Sequence, residues 1–487
     1  MFDLYLFNAV NADFYNKIIL YDKDHLLQLS DYLESFKHAG FQIIYYKNDL
    51  EFRKLCGKSI HDSKEKLLII VDNNEYIPYD ILRISEKYPI KLSNFFDGLT
   101  MDYLNKYSDA NLDLIALALE NIFYKPNSKE EIKNFFEKEV FSKNNLTRYI
   151  ATQTKKIQAR IIKGCQYKDW FIIAKEKAEI DRLSAHYRLN IDTSTINRLF
   201  SDWVIHDFGK LSAEYDKDSP VLISNTMEFI KNISNKFVIV VMDGMSEFDW
   251  SILKTSFWDI KYTKASLFAM IPTVTSVSRQ CLLSNKHPIN LQNPWSQQKE
   301  ENEFRECAKE LGFKENQISY CRGYDNELKP SIKCAAVIVN DIDDMVHGQT
   351  QERLGMYNGL SVMAQNGQLA RMVNKYIKQG FDIFITADHG NTPCTGIGGY
   401  RGAGVETTTK SRRMMVLNDL GDKESLMGKY PLIEYPKYYL DKKYTYLICE
   451  GQASYDCKDE TVMSHGGITL DEVVVPFIKV MARDNNG

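Results

Sequence analysis

Three aspartates and three histidines stand where apolar runs of the sequence end or begin, and their side chains could bind metal. They are Asp243, Asp343, His347, Asp388, His389 and His465. Carboxylate and imidazole groups together suit zinc or manganese. Each short motif alone is also typical of a turn with a hydrogen-bonded histidine. Because the chain has only nine histidines and three of them occupy such positions, the combination favours two divalent ions, zinc first and manganese as the alternative.

A hydroxyl cluster in IPTVTSVSRQ (271–280) could supply the group that reacts. Its members are Thr273, Thr275, Ser276 and Ser278. Hydroxyls are poor nucleophiles at neutral pH, but contact with a divalent cation lowers their pKa. A helix that begins near residue 276 would also direct amide groups at a bound phosphate, although the hydroxyls could equally serve as its cap. The pattern indicates phosphoryl transfer and leaves the nucleophile open among these residues.

An alternation of strands and helices in the C-terminal half would bring these side chains together. The strand-like runs are 237–242, 333–341, 380–388, 412–419 and 473–480. Helical stretches lie around 301–311 and 359–379. The run 237–242 is apolar throughout, which is typical of a strand buried on both faces of a parallel sheet. Since such sheets place their chemistry at the carboxyl ends of the strands, we predict an α/β domain over residues 233–487 with a mostly parallel sheet between helices.

The preceding residues divide into two parts of different character. Residues 1–125 predict a small α/β domain with strand-like runs at 16–22, 41–47 and 66–74. Within it, the segment 24–40 has the apolar spacing of one helix that ends at Gly40. Residues 126–232 predict a helical linking region. That region begins with a capping-box pattern from Ser128 to Glu131.

The composition excludes several classes of protein. The 487 residues are 44% hydrophobic and 26% charged, as in a globular protein, and the net charge of −4 gives no overall attraction to nucleic acid. Nine cysteines without paired CxxC motifs argue against a disulfide framework and a thiolate zinc site. No run reaches the roughly 18 apolar residues of a membrane helix, and the first residues lack a signal-peptide pattern. We therefore expect a cytoplasmic protein without membrane contact.

The order of the motifs resembles that of the alkaline phosphatase superfamily. DG, PTxT, DxxxH, DHG and HGG follow one another within residues 235–482. IPTVTSVSRQCLLSN, ITADHGNT and SHGGITLDEVVVPF are most similar to the PglZ domain of bacterial anti-phage systems and some response regulators. Residues 43–82 also resemble the N-terminal part of longer PglZ proteins. The resemblance implies an alkaline-phosphatase-like fold for the C-terminal domain.

The resemblance also implies how the ligands divide between two ions. One ion would be held by Asp243, Thr275, Asp388 and His389. The other would be held by Asp343, His347 and His465. The second threonine of PTxT makes Thr275 the nucleophile and leaves Thr273 a buried or capping role. The DxxxH spacing selects Asp343, whereas a shift of one residue would select Asp344.

Three functions are compatible with these residues. The leading hypothesis is a metal-dependent phosphodiesterase or nuclease that acts on a nucleic acid or oligonucleotide in phage defence, with Arg279 as a substrate-binding residue. The second is a non-catalytic, metal-stabilised effector or scaffold in a defence or signalling complex, with other defence-system proteins as partners. The third is a phosphomonoesterase or phosphomutase, for which Arg279, Arg401 and Lys410 could supply the extra positive charge. The oligomeric state is left open, with a dimer among the alternatives.

Overall fold

The chain forms two compact units. The computed structural model describes residues 2–29, 32–72, 75–96, 98–122, 126, 128–349, 351–399, 411–418 and 423–481. Its contacts divide the chain into Met1–Thr152 and Gln153–Gly487, and the predicted boundaries after residues 125 and 232 stay predictions. Within the described ranges, no helix is both long enough and apolar enough to cross a membrane.

A four-stranded parallel sheet forms the centre of the first unit. Its strands are β1 (Lys17–Asp22), β2 (Gln42–Tyr46), β3 (Leu67–Val71) and β4 (Glu86–Ile90), in the order β2-β3-β1-β4. Its helices are α1 (Phe2–Ala9), α2 (Glu34–His38), α3 (Asp49–Cys56), α4 (Tyr79–Ile84), α5 (Leu92–Phe95), α6 (Met101–Lys106), α7 (Leu112–Leu119) and α8 (Lys129–Phe135). The three predicted strands are present. Strand β4 was not predicted because its sequence, EKYPI, is mostly exposed and has no apolar run.

The prediction of a single helix over residues 24–40 is wrong. Among the described residues of this segment, the only α-helix is the short α2 near its end, and a 3₁₀ turn at Leu26–Gln28 precedes it. The side chain of Asp22 accepts hydrogen bonds of 2.8 and 2.9 Å from the first two amides of that turn. These bonds hold a turn where the apolar spacing predicted a longer helix. Gly40 has a φ of +86°, which only glycine adopts readily, and it follows the helix as predicted.

The segment between the two sheets is helical, as predicted. After the capping box, in which Ser128 and Glu131 bond reciprocally at the start of α8, the helices are α9 (Lys143–Ile162), α10 (Tyr167–His186), α11 (Ser194–Asp207) and α12 (Thr226–Ile233). The division between the two units falls inside α9. Helices α10 to α12 therefore belong to the second unit.

A six-stranded sheet forms the centre of the second unit. The strands of this unit are β5 (Phe237–Met242), β6 (Tyr262–Phe268), β7 (Ile318–Arg322), β8 (Cys334–Val339), β9 (Asp382–Thr386), β10 (Thr392–Gly396), β11 (Met414–Leu417), β12 (Leu432–Glu434), β13 (Thr445–Cys449), β14 (Ala453–Ser454), β15 (Thr461–Ser464) and β16 (Val474–Val480). The main sheet has the order β6-β16-β9-β5-β8-β7. Strands β9, β5, β8 and β7 run parallel, whereas β16 is antiparallel to both of its neighbours. Every residue of β5 is buried, as its apolar sequence predicted.

The predicted strand at 412–419 forms, but outside the main sheet. Strand β11, which forms within this run, pairs antiparallel with β13 in a separate sheet of order β11-β13-β12. Leu417 and Leu447 belong to a small apolar core of their own on this sheet. A second small sheet has the order β14-β10-β15. An apolar run shows that a strand is buried but does not show which sheet buries it.

Helices lie between the strands of the second unit. They are α13 (Glu247–Leu253), α14 (Thr275–Ser284), α15 (Glu300–Glu310), α16 (Asp341–Gly348), α17 (Glu352–Asn366), α18 (Gln368–Lys378), α19 (Lys423–Lys429) and α20 (Leu470–Val473). The helix predicted at 301–311 is α15. The helical stretch predicted at 359–379 is divided by Gly367, whose φ is +61°, into the end of α17 and the whole of α18. The unit is mixed α/β with a mostly parallel central sheet.

A buried cluster of charges joins α10 to α20. The Nζ atom of Lys177 lies 2.7 Å from Asp181 and 2.9 Å from Asp471, and Nη2 of Arg353 lies 2.8 Å from Asp471. We call these four residues the Lys177 cluster; its two cations balance its two carboxylates. Burial opposes ionisation of Asp471, but Lys177 and Arg353 outweigh it and lower the pKa of this carboxyl to about 2. Thr392, the first residue of β10, donates to the same carboxyl at 3.4 Å.

Candidate metal centre

The ends of the central strands bring the six predicted Asp and His side chains into two groups. The inner group consists of Asp243, Asp388 and His389. The outer group consists of Asp343, His347 and His465. Within each group, one oxygen or nitrogen atom of every side chain lies within 4.8 Å of the others. The inner side chains are buried, whereas the outer group reaches the surface at His347, whose side chain is 40% exposed.

Two early strand ends assemble the inner group. Strand β5 stops before Asp243, and Gly244, with a φ of +76°, turns the chain so that its amide donates to Asp388 at 3.2 Å. Strand β9 stops two residues before Asp388, so the alternation of side chains between the two faces of a strand no longer applies. Asp388 and His389 therefore both face Asp243. The Nε2 atom of His389 lies 3.6 Å from Asp243 and 3.8 Å from Asp388.

The backbone after His389 fits a space that only glycine can occupy. A Cβ atom on Gly390 would lie 2.0 Å from the carbonyl oxygen of Asp471 and 3.0 Å from Cβ of Ser246. The amide of Gly390 also donates to the carbonyl of Glu472 at 2.8 Å. This close packing against the backbone of Asp471 and Glu472 fixes the position of the segment that carries His389.

We expect Gly390→Ala to displace this segment and to lower the metal content of the purified protein, because backbone atoms cannot yield as a flexible side chain can. Elemental analysis and a melting curve measure the effect. Gly428→Ala is the matched control, since Gly428 lies in α19 with no heavy atom within 4 Å of the added Cβ. Wild-type metal content and melting temperature in Gly390→Ala would contradict this description of the segment.

One helical turn positions the outer group. Asp343 and His347 are four residues apart in α16, and Nε2 of His347 lies 3.3 Å from Asp343. The other ring enters from the loop after β15: Nδ1 of His465 lies 2.9 Å from the carbonyl of Thr273, and its Nε2 lies 3.4 Å from Asp343. Asp344 is exposed and belongs to neither group. The geometry favours Asp343 over Asp344 as the ligand, and the ligand role itself stays a prediction.

The hydroxyl of Thr275 lies at the inner group. Thr275 is the first residue of α14, and its Oγ1 is 3.1 Å from Nε2 of His389. The ring of His389 stacks on that of His465 with centroids 4.2 Å apart, so the inner and outer groups adjoin. Thr273 is fully buried, donates to the carbonyl of Gly467 at 2.9 Å and accepts from the amide of Gly466 at 3.0 Å. The hydroxyl of Thr273 is thus engaged in hydrogen bonds with the backbone, which agrees with the buried role predicted for this residue.

Arg279 contacts carboxylates of the centre. It lies one turn after Thr275 in α14, is 1% exposed, and its Nη1 bonds to Asp243. Its Nε donates to Glu300 at 2.8 Å. Sequence reasoning missed Glu300, because a glutamate in KEENEF looks like one of several solvated residues; in the structure it is 1% exposed. The other cations proposed from the sequence, Arg401 and Lys410, lie outside the described residues.

A family model matches this half of the chain. The model is described as the BREX system PglZ alkaline phosphatase-like domain, and it matches residues 224–480, more than half of the 487 residues. The chain belongs to the PglZ family. The match confirms the resemblance drawn from the motifs, and it places the chain in the alkaline-phosphatase-like superfamily of phosphoesterases.

Several solved structures are similar to about half of the chain. Murine and human ectonucleotide pyrophosphatase/phosphodiesterase 5 are each 14% identical, with TM-scores of 0.36 and 0.37, and the similarity covers 50% of this chain and 87% of each of theirs. Phosphonoacetate hydrolase from Sinorhizobium meliloti 1021, in complex with phosphonoacetate, is 10% identical with a TM-score of 0.32 over 50% of this chain and 90% of its own. No curated protein matches the chain.

In the PglZ site, burial and neighbouring charged groups shift the pKa values of the clustered carboxylates and imidazoles. Burial, together with the neighbouring Asp243, raises the pKa of Asp388 well above its usual range. Burial also opposes ionisation of Asp343, but the hydrogen bond with His347 and the nearby imidazoles outweigh it and lower its pKa. Burial lowers the pKa of His465 to about 4, which keeps this ring neutral at pH 7. A neutral imidazole beside carboxylates is the form that binds a metal ion.

The PglZ residues fit two divalent ions. Among the described side chains, three buried oxygens of the centre accept no hydrogen bond: Oδ1 of Asp243, Oδ2 of Asp388 and Oδ1 of Asp343. Buried carboxylate oxygens without a partner are rare, and a bound cation would satisfy them. Each group supplies oxygen and nitrogen atoms and no thiolate, which suits zinc or manganese.

Proposed function

We propose that the protein is a metal-dependent phosphodiesterase that cleaves a nucleic acid or oligonucleotide with Thr275 as its nucleophile. The observation that carries the proposal is the position of the Thr275 hydroxyl, 3.1 Å from Nε2 of His389 at the junction of the two ligand groups. The inner ion would be held by Asp243, Asp388, His389 and Thr275. The outer ion would be held by Asp343, His347 and His465. Zinc is the first choice for both, and manganese is the alternative.

The chain's own residues would perform the reaction in two steps. Oγ1 of Thr275 would lose its proton to solvent and attack phosphorus, the bond from phosphorus to the departing nucleoside oxygen would break, that oxygen would take up a proton, and a phosphothreonine would form. Water would then attack the same phosphorus, the bond from phosphorus to Oγ1 would break, and a proton from the water would restore the Thr275 hydroxyl. Because α14 begins at Thr275, its first amides would face a phosphate attacked by that residue. Two divalent ions, when bound, lower the pKa of a hydroxyl and offset charge on the leaving oxygen.

We further propose a role in phage defence, with nucleic acid as substrate and other defence-system proteins as partners. The BREX-system description of the matched domain supports the defence role. A non-catalytic scaffold role is the alternative for which the same fold and metal groups would suffice.

A turnover assay distinguishes the two functions. Protein purified without chelator should contain about two equivalents of zinc or manganese and should hydrolyse bis-p-nitrophenyl phosphate, with activity lost on chelation and restored by the metal. Elemental analysis and release of p-nitrophenol provide the measurements. A folded protein that holds metal but turns over no diester would support the scaffold role, and one that takes up no metal under any loading condition would exclude both.

A further inference from the structure

Arg279 is held between the metal centre and a buried glutamate. One side of its guanidinium bonds to Asp243, while Nε bonds to Glu300 at 2.8 Å, and both Arg279 and Glu300 are 1% exposed. Glu300 in turn accepts a hydrogen bond from the hydroxyl of Tyr320, and Arg322 reaches it at 3.5 Å. Half of the Arg322 side chain is exposed, so solvent screens its charge. Glu300 therefore neutralises the one buried cation that contacts the centre among the described residues.

The net charge of the metal centre follows from the formal charges of its carboxylates, of Arg279 and of two bound ions. The carboxylates are Asp243, Asp343, Asp388 and Glu300. The three aspartates contribute three negative charges when ligation keeps them ionised, Glu300 contributes a fourth as the ion-pair partner of Arg279, and the histidines are neutral as ligands. Arg279 contributes one positive charge and two divalent ions contribute four, so the net charge is +1. The neighbouring Lys177 cluster adds none because its cations and carboxylates balance.

We propose that Glu300 is a specificity-determining residue that adjusts the centre to a phosphodiester, which carries one negative charge, in preference to a phosphomonoester, which carries about two. The inference rests on the proposed function, including its two ions. With Glu300 ionised, a bound diester brings the net charge of the buried centre to zero, whereas a monoester dianion leaves an excess negative charge there. Uncompensated charge is costly in a site from which water is excluded. Without the Glu300 charge, the net charge becomes +2 and matches the dianion.

Glu300→Gln tests the inference because it removes the charge and keeps the shape and the acceptor oxygen for Arg279. We measure kcat/KM for bis-p-nitrophenyl phosphate and for p-nitrophenyl phosphate, and take the ratio of diester to monoester. The wild-type protein should favour the diester, and the variant should shift the ratio toward the monoester by about tenfold or more, as expected for one unit charge acting over about 10 Å at an effective dielectric constant near 20. Calorimetry gives a second readout: inorganic phosphate should bind the metal-loaded variant about tenfold more tightly than the wild type.

Glu303→Gln is the matched control. Glu303 lies one turn along the same helix, is equally buried, and pairs with Lys286 at 2.6 Å. Its loss removes a buried charge from α15 without touching Arg279, so the diester-to-monoester ratio should not change. Metal content and melting curves of both variants show whether the centre and the fold are intact.

The outcomes separate this inference from the proposed function. If the wild type hydrolyses neither ester, the proposed function is wrong. If the wild type hydrolyses the diester but Glu300→Gln leaves both the ratio and phosphate affinity unchanged, the function stands and the role of Glu300 is wrong. A wild type that prefers the monoester with Glu300 in place overturns the inference without any variant, so the test does not depend on the stability of Glu300→Gln.

Discussion

Thr275→Ala will abolish phosphodiester turnover and leave the protein folded with most of its metal. The substitution removes the hydroxyl and the γ-methyl group from the start of α14, and loss of a covalent nucleophile lowers the rate by about a thousandfold or more. The carboxylates and imidazoles of the inner group are untouched. Release of p-nitrophenol from the diester measures the rate, and elemental analysis measures the bound metal.

Two further substitutions make this result specific to the hydroxyl. Thr275→Ser keeps a hydroxyl at the same position and should retain turnover. Thr273→Ala removes a hydroxyl that bonds to the backbone at Gly466 and Gly467, so it should lower the melting temperature more than the activity of the folded fraction. If Thr275→Ala stays active while Thr273→Ala is inactive, the nucleophile has been assigned to the wrong threonine.

Asp343→Asn will remove one metal equivalent and lower turnover by about a hundredfold or more, because it takes a carboxylate from the outer group that both histidines of that group contact. His347→Ala should have the same effect. Metal stoichiometry by elemental analysis is the direct readout, and the diester assay follows it.

Asp344→Asn is the control for this prediction. Asp344 is the next residue of α16, carries the same charge and is exposed outside both groups. A rotation of about 100° per residue directs it away from His347. Its substitution should leave the metal count and the rate unchanged. Inactivity of Asp344→Asn together with an active Asp343→Asn would show that the helix register in this description is off by one residue.

The candidate ligands could be found in the sequence because their positions follow from local rules. Asp243 ends a strand that is apolar on both faces, and Asp343 and His347 have the spacing of one helical turn. Parallel strands β5, β8 and β9 then bring these ends to one edge, so local patterns sufficed to place distant residues together. His465 lies before an antiparallel strand, and only the order of motifs in the resembling family indicated that it joins the others.

The features that could not be predicted from the sequence depend on tertiary contacts, which no local sequence pattern encodes. The pair of Arg279 and Glu300 joins two helices, and neither local sequence indicates which residue is the partner. Strand β11 has the apolar run of a central strand, yet it pairs in a separate sheet because its partner β13 lies there. The segment 24–40 has helical spacing, but hydrogen bonds from Asp22 hold a turn at its start. Tertiary partners decided each of these cases.

The Lys177 cluster affects how long a fragment of the chain must be in order to fold as an independent domain. The family match begins at residue 224, but Lys177 and Asn197, which both bond to Asp471, lie before it on α10 and α11. A fragment cut at the family boundary would keep the pair of Arg353 and Asp471 but would lose the bonds that Lys177 and Asn197 make to Asp471. Losing one partner of a buried ion pair costs about 3–5 kcal/mol, a large part of the 5–15 kcal/mol that stabilises a typical domain. We therefore expect that a portable domain which folds on its own begins before residue 224, where the family match starts, and includes helices α10 and α11.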